Sequence, residues 1–361
     1  MVLAQARQSS SAALRAARGL RRPGKFAGQS PAADSAPATA AERLELVRAH
    51  GDFSLAYTTA VQSGLSYFGD NRGYLAHDSR LGHTFVLADP VAAPPDRERL
   101  VRQFAAMHRR LAFCQISRAT AQIVQELGFY VNEMGVDSIV PLAGYDFRGR
   151  EKKWLRTAES WTSRRGYTTR EDRAQHVGLA QINAVSLAWR ATRTVKFKEV
   201  RFLNRPLVAS DEPGTRRFFF FGPGERLLAF VFFDPLYRDG RLVGYAACSK
   251  RRHPEAPVYA EQAIMKHAIE VFQREDCQEL RLGLSPLAWI EDREFRASWL
   301  LRTLFRGGFS SRLINRRIYN VQGHAEYKRR YRGREEKLYY ATRTPLNLLQ
   351  LAALVKTCKI L

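Results

Sequence analysis

A two-domain α/β (α+β) architecture is predicted by three features of the sequence. Short strand-like runs alternate with amphipathic helical runs. That order occurs twice, from about residue 42 and again from about residue 215. Gly-Pro-Gly and Asp-Pro punctuation stands where the chain must turn. With 361 residues the chain can hold two domains and bury roughly 75% of its unfolded surface.

The elements follow in order. Residues 1–41 are rich in Ala, Ser and Arg and poor in acids, which reads as a flexible basic arm. A helical pattern starts with Leu44, Leu46 and Val47. Residues 73–89 alternate as a hairpin with its turn at Asp78 to Gly82, closed by Asp89-Pro90. A helix over 97–110 puts Leu100, Val101, Phe104 and Met107 on one face. Leu111 to Ile116 is a strand, and Ala119 to Leu127 a helix with Gly128 as its cap. Residues 149–176 form a basic helical stretch. Strands are then predicted at Arg217 to Phe221, Leu227 to Phe233 and Leu242 to Ala247, the first two joined by Gly222-Pro223-Gly224. A helix over Tyr259 to Arg274, a buried strand over Leu280 to Leu284 and a helix over Phe295 to Phe305 complete the second half. After Pro345, the run Leu346, Leu348, Leu349, Leu351, Leu354 and Val355 with Lys356 and Lys359 predicts a short apolar helix. It either docks on the body or lies on a membrane.

Charge and cysteine content bound the function. There are 58 Lys and Arg against 35 Asp and Glu, a net charge of +23, which favours capture of polyanions: nucleic acid, an anionic membrane face or acidic substrates. Cys114, Cys248, Cys277 and Cys358 lie scattered without C-x-x-C pairs, so neither a zinc site nor a disulfide framework is expected, and a reducing cytoplasm is. His253, His267 and His324 lack metal-ligand spacing, and no metal is expected. His324 is a candidate base. No run reaches the length of a membrane span.

The strand–strand–strand–helix–strand–helix order of the second half matches the core of the GNAT acyltransferase fold. Gly73-Tyr-Leu-Ala, Ala88-Asp-Pro, Arg251-Arg252-His-Pro-Glu-Ala-Pro257, Gly283-Leu-Ser-Pro-Leu-Ala288, Tyr319-Asn-Val-Gln-Gly323 and Tyr327-Lys-Arg-Arg-Tyr331 occur in that order. On these pieces the sequence resembles the C-terminal synthetase domain of the phosphatidylglycerol lysyltransferase family, the multiple peptide resistance factors, from about Tyr67 to Thr342. The resemblance implies tandem GNAT-like domains joined by a basic helix, with segments 1–41, 42–148, 149–214, 215–344 (the catalytic domain) and 345–361. It also implies transfer of an amino acid from aminoacyl-tRNA to a lipid hydroxyl without a cofactor. The chain differs from the family in three ways. It is expected to stand alone, without the membrane flippase half. Cys248 stands where the family has an Asp before its arginine loop. Arg332-Gly-Arg-Glu-Glu-Lys337 replaces a tryptophan-bearing segment.

Acyl transfer from an ester needs a stabilised oxyanion and a carrier for the nucleophile's proton. Lys328 and Arg330, read on one strand face, are the candidate catalytic pair. Arg251, Arg252, Ser285, Tyr319 and Gln322 are the candidate substrate-binding residues, the arginines suited to bidentate phosphate contact. Lys152, Lys153, Arg156, Arg164 and Arg165, interleaved with Trp154, Trp161 and Tyr167, are candidates for tRNA or other anions; alternatively those aromatics pack between the halves. Ser285 lacks the G-x-S-x-G elbow of a serine nucleophile. The turn from Ser249 to Tyr259 holds no glycine, against the glycine-rich pyrophosphate loop of acetyl-CoA enzymes. Two other readings remain: an N-acyltransferase fed by an acyl-CoA or acyl-carrier-protein thioester, and a non-catalytic basic scaffold binding RNA or anionic lipid. The expected setting is the cytoplasm, with peripheral contact to the inner face of the plasma membrane.

Overall fold

The computed structural model describes residues 39–192 and 199–359; the expected N-terminal arm falls almost wholly outside them. Helix α1 (Ala40–His50) opens with a capping box, Thr39 and Glu42 each bonding the other's backbone N–H, and α2 (Ala56–Val61) follows. Strands β1 (Ser66–Asp70), β2 (Gly73–Arg80) and β3 (His83–Ala92) form an antiparallel meander. Leu81 and Gly82, both at positive φ, make the two-residue turn between β2 and β3. Helix α3 (Pro94–Met107) starts on proline and buries Leu100, Val101 and Phe104. Met107, expected on that face, is exposed at the helix end. Strand β4 (Leu111–Ile116) runs parallel to β3; α4 (Arg118–Glu126) and β5 (Tyr130–Pro141) complete the first half.

The basic stretch is not one helix. It divides into α5 (Lys153–Ser163), β6 (Thr168–Glu171) and α6 (Ala174–Val177), because Gly166 at φ +75° ends the first helix. Helix α7 (Leu179–Ala191) precedes the second half: β7 (Arg216–Gly222), β8 (Arg226–Arg238), β9 (Arg241–Arg252), α8 (Ala260–Arg274) and β10 (Glu279–Pro286). Then come α9 (Trp299–Ser310), starting later than the sequence suggests, α10 (Arg312–Arg317), α11 (Val321–Arg329), β11 (Arg334–Thr342) and α12 (Leu348–Thr357). Helix α12 docks: Ala353 and Leu354 are buried in one cluster with Phe85, Leu87 and Cys114.

The eleven described strands form one sheet, ordered β1-β2-β3-β4-β11-β5-β10-β9-β8-β7-β6. Each half repeats the GNAT grammar of antiparallel strands, a helix and a parallel strand, and each lends a strand to the other. β11, from the end of the chain, lies between β4 and β5, and β5 pairs with β10 of the second half. Neither half closes its sheet alone. The seam depends on Gly135 (φ +139°), where an added Cβ would stand 2.2 Å from the Ser285 carbonyl oxygen. Gly135→Ala is therefore expected to cost about 3 kcal/mol or more, because two backbones must part. The denaturation midpoint measures it.

Candidate functional site

The site forms where two parallel strands separate. β9 and β10 pair over Gly244–Ala246 and Glu279–Arg281. Beyond that, β9 stays with β8 through Arg252 while β10 follows β5, with a register shift between Arg281 and Leu284. Gly283 sits in the bulge at φ +78°. The carbonyls of Gly283 and Leu284 accept hydrogen bonds, each 2.8 Å, from the Lys328 ammonium. Lys328 does not lie on a strand, as the sequence suggested. It lies in the last turn of α11, whose N-terminus is capped by Asn320 accepting from the Gly323 N–H at 2.8 Å. Val321, Ala325 and Lys328, at helical spacing, are its buried residues.

Burial drives the Lys328 amine down from its ordinary 10.5 to about 7; the nearby Lys250 charge adds to this, and Asp137 and Glu261 oppose it. Lys250, on β9, pairs with Glu261 of α8 at 2.8 Å and lies 4.6 Å from the centre of the Tyr327 ring. Burial alone would raise the Glu261 carboxyl, but Lys250 and the Tyr327 hydroxyl hold it below the ordinary range. Tyr327 in turn shares a 2.7 Å hydrogen bond with Tyr331, whose carbonyl accepts from Tyr145 at 2.9 Å. The chemical consequence is specific. A neutral amine has two N–H groups and one lone pair. With both hydrogens on carbonyls, the lone pair is left for a substrate proton. When charged, the same nitrogen offers a third N–H.

A cleft of about 710 Å³ opens nearby, lined in part by Ser54, Asp89, Gln115, Asp137, Arg281 and Glu336. The Ser54 hydroxyl donates to Asp137, Arg281 lies 3.7 Å from the same carboxylate, and Arg281 also donates to Glu279 at 2.9 Å. Burial raises the Asp137 carboxyl, against Arg281, Ser54 and Lys328. One Asp137 oxygen is buried without a hydrogen-bond partner. Ser54, Asp137 and Arg281 were not anticipated from the sequence: β5 mixes Asn132, Glu133, Asp137 and Ser138 with its apolar residues, so the pattern singles out no one carboxylate.

The other anticipated residues fall in separate places. Arg330 is exposed and stacks over the Trp154 ring at 4.3 Å, whereas the Lys328 amine is buried on two carbonyls. Arg251 and Arg252 lie on β9 itself, which runs through them, so the turn is shorter than expected. They face opposite sides. Arg251 is buried against Trp189 and pairs with Glu199 at 3.1 Å; Arg252 donates to the Pro257 carbonyl at 3.3 Å. Ser285 is fully buried, its hydroxyl unpartnered. Tyr319 is exposed and stacks on His324, and Gln322, also exposed, gives its backbone N–H to Asn315. On α5 and its approach, Lys153, Arg156, Arg164 and Arg165 are exposed; Lys152 covers the Tyr145 ring at 3.7 Å, and Arg165 covers Trp161 at 4.1 Å. The aromatics of this stretch pack inward: Trp154 on Tyr327 and Tyr331, Trp161 on Tyr167 and Tyr259. Among the described residues no group of three or more His, Cys, Asp or Glu could hold a metal ion.

The position of Cys248 has a structural answer. It occupies a bulge of β9 against β8 and faces a buried charge cluster. Arg205 bonds Asp234 at 2.6 Å and Glu212 at 2.7 Å, and its guanidinium lies 3.7 Å from the Cys248 sulfur. Asp234, on the neighbouring strand, thus puts a carboxylate beside the place where the sequence lacks one. Cys248→Asp would add a third carboxylate to one arginine. It is expected to destabilise the fold by about 2 kcal/mol or more rather than raise activity, as a thermal melt would show.

Comparison with known proteins bears on the family and the fold. Residues 44–342 match the family described as phosphatidylglycerol lysyltransferase, C-terminal. A curated relative, an uncharacterised protein of Corynebacterium glutamicum, is 21% identical over 230 residues; the match takes in 61% of this chain and 29% of that protein. In structure the chain is similar to L-PGS from Bacillus licheniformis, with TM-score 0.71, 17% identity and coverage of 88% and 95% of the two chains. It is similar too to the C-terminal domain of an Agrobacterium fabrum protein named for lysylphosphatidylglycerol synthetase, with TM-score 0.68, 19% identity and coverage of 88% and 94%. FemX has the same fold at TM-score 0.53 and 10% identity, over 87% and 98%. The chain spans under a third of the curated relative's length; with its family match covering most of the sequence, it belongs to the phosphatidylglycerol lysyltransferase C-terminal family.

Proposed function

We propose that the chain moves an aminoacyl group from aminoacyl-tRNA to a hydroxyl of a phosphatidylglycerol-like lipid, at the inner face of the plasma membrane. The observation that carries this reading is the Lys328 amine, held by two carbonyls in the strand wedge with a proton affinity near neutrality. In the step, the lipid hydroxyl attacks the ester carbonyl, a new C–O bond forms, and the bond to the tRNA ribose oxygen breaks. Lys328 takes the hydroxyl proton and returns it to the departing ribose oxygen. Arg252 and Arg330 are assigned to phosphates at the rim, and the exposed cations of α5 to the tRNA backbone. The net charge of +23 supports a polyanionic donor.

The test incubates the protein with phosphatidylglycerol vesicles and a labelled pool of aminoacyl-tRNAs, then counts label in the organic phase. Ribonuclease-sensitive label that disappears in Lys328→Met is the expected result. Label from acyl-CoA but none from aminoacyl-tRNA would replace the donor with a thioester.

A further inference from the structure

Residues 299–319 carry five of the fourteen exposed large hydrophobic side chains among the described residues: Trp299, Leu304, Leu313, Ile318 and Tyr319. So dense a cluster is not the scatter expected of an ordinary surface. Helix α9 buries only Leu301, and α10 buries nothing. The same segment holds Arg302, Arg306, Arg312, Arg316 and Arg317 and no acidic residue. Elsewhere arginines are widely paired with carboxylates, as Arg99 is with Asp70 and Arg216 with Glu275. Here, among the described residues, Arg312, Arg316 and Arg317 form no ion pair; Arg302 acts on the Asp292 carboxylate, and Arg306 donates to the Ile290 carbonyl. Exposed apolar side chains interleaved with unneutralised arginines, on helices that pack one shallow side against the body, are the composition of a surface that rests in an anionic lipid interface. An exposed Trp, 65% open, suits the headgroup level.

The position of this surface gives it a use. α9 and α10 are the segment joining β10, whose carbonyls hold the Lys328 amine, to α11, which carries Lys328. We infer that α9 and α10 form the membrane-docking face, seated on a bilayer containing anionic lipid, so that the strand wedge opens at the leaflet. The inference rests on the reading of a lipid acceptor. It also assigns membrane contact to this face rather than to α12, whose Leu354 side is packed on the body.

The test is sedimentation of the full-length protein with vesicles, either phosphatidylcholine alone or three parts phosphatidylcholine to one part phosphatidylglycerol. The protein should bind the anionic vesicles and largely ignore the neutral ones. Replacing Arg312, Arg316 and Arg317 together by Gln should weaken binding on the order of a hundredfold. Trp299→Ala with Leu313→Ala should weaken it about tenfold or more. Melting temperatures should hold, since these side chains are exposed. Three results would overturn the inference: no binding by the parent protein, variants that bind as it does, or binding lost instead when Lys152, Arg156, Arg164 and Arg165 of the α5 region are neutralised. The assay contains no tRNA and reads no turnover, so an error in the donor does not change its outcome. Retained transfer to a short-chain, water-soluble phosphatidylglycerol by the docking variants separates docking from chemistry.

Discussion

Lys328→Met is expected to lower the rate of transfer by about 10²–10⁴-fold, the range for loss of a positioned acid–base group. The pH dependence identifies the role. If the neutral amine takes the hydroxyl proton, kcat/KM rises with pH to a plateau through about 7, where burial has brought this amine. If the ammonium merely held an oxyanion, activity would fall across the same range. Lys328→Arg separates the two as well, since arginine keeps the charge and the donors but cannot act as a base near neutrality. The same site predicts a stability effect. Unfolded, Lys328 holds its proton to about 10.5; folded, only to about 7. Between those values the unfolded chain binds the extra proton, so stability rises with pH across the window, and the penalty is complete below 7. That penalty is on the order of 5 kcal/mol at 1.36 kcal/mol per pKa unit. Relative to the parent protein, Lys328→Met should therefore gain stability as pH falls from 10.5 towards 7. Urea midpoints across that range measure it, and a pH-independent difference would place the Lys328 amine at an ordinary proton affinity.

Arg205→Met is expected to cost about 3–5 kcal/mol, because it strands buried charge rather than merely removing a contact. Asp234 is 1% exposed, with Arg205 at 2.6 Å and the Thr58 hydroxyl at 3.4 Å among its hydrogen-bond partners, and Glu212 shares the same guanidinium. The double change Arg205→Met with Asp234→Asn should recover part of that loss, since the buried charge goes with its partner. Denaturant midpoints for the two singles and the double give the coupling. Additive losses would mean that the cluster is hydrated and the pair unimportant.

Much of the architecture is legible locally. Period-two and period-3.6 patterns mark β2, β3, β4, α8 and β10 within a few residues, because each buries one face on an ordinary core. The strand exchange is not legible. Nothing within β11 says that Arg334 will meet Glu279 at 2.8 Å or that Lys337 will meet Glu133 at 2.6 Å. The charged run 332–337 looks like a loop until those partners arrive from other strands. Lys328 was legible by residue type and neighbourhood but misplaced, because the short aromatic and cationic run around it fits either period. Asn320, an N-cap type eight residues upstream, is the local sign of a helix. Lys328 and Arg330, two residues apart, would share a face on a strand but do not at the end of a helix. Asp234 carries a signal worth reading elsewhere: a lone carboxylate in an apolar strand must find a partner or stay protonated.

The most direct test is an NMR titration of the protein labelled with ¹³C at the lysine ε-carbon, with Lys328→Arg used to assign the Lys328 resonance. A midpoint near 7 for that one resonance is predicted from its burial between the Gly283 and Leu284 carbonyls. A midpoint at the ordinary lysine value of 10.5 would show a permanently charged ammonium and contradict its role as the proton carrier in acyl transfer.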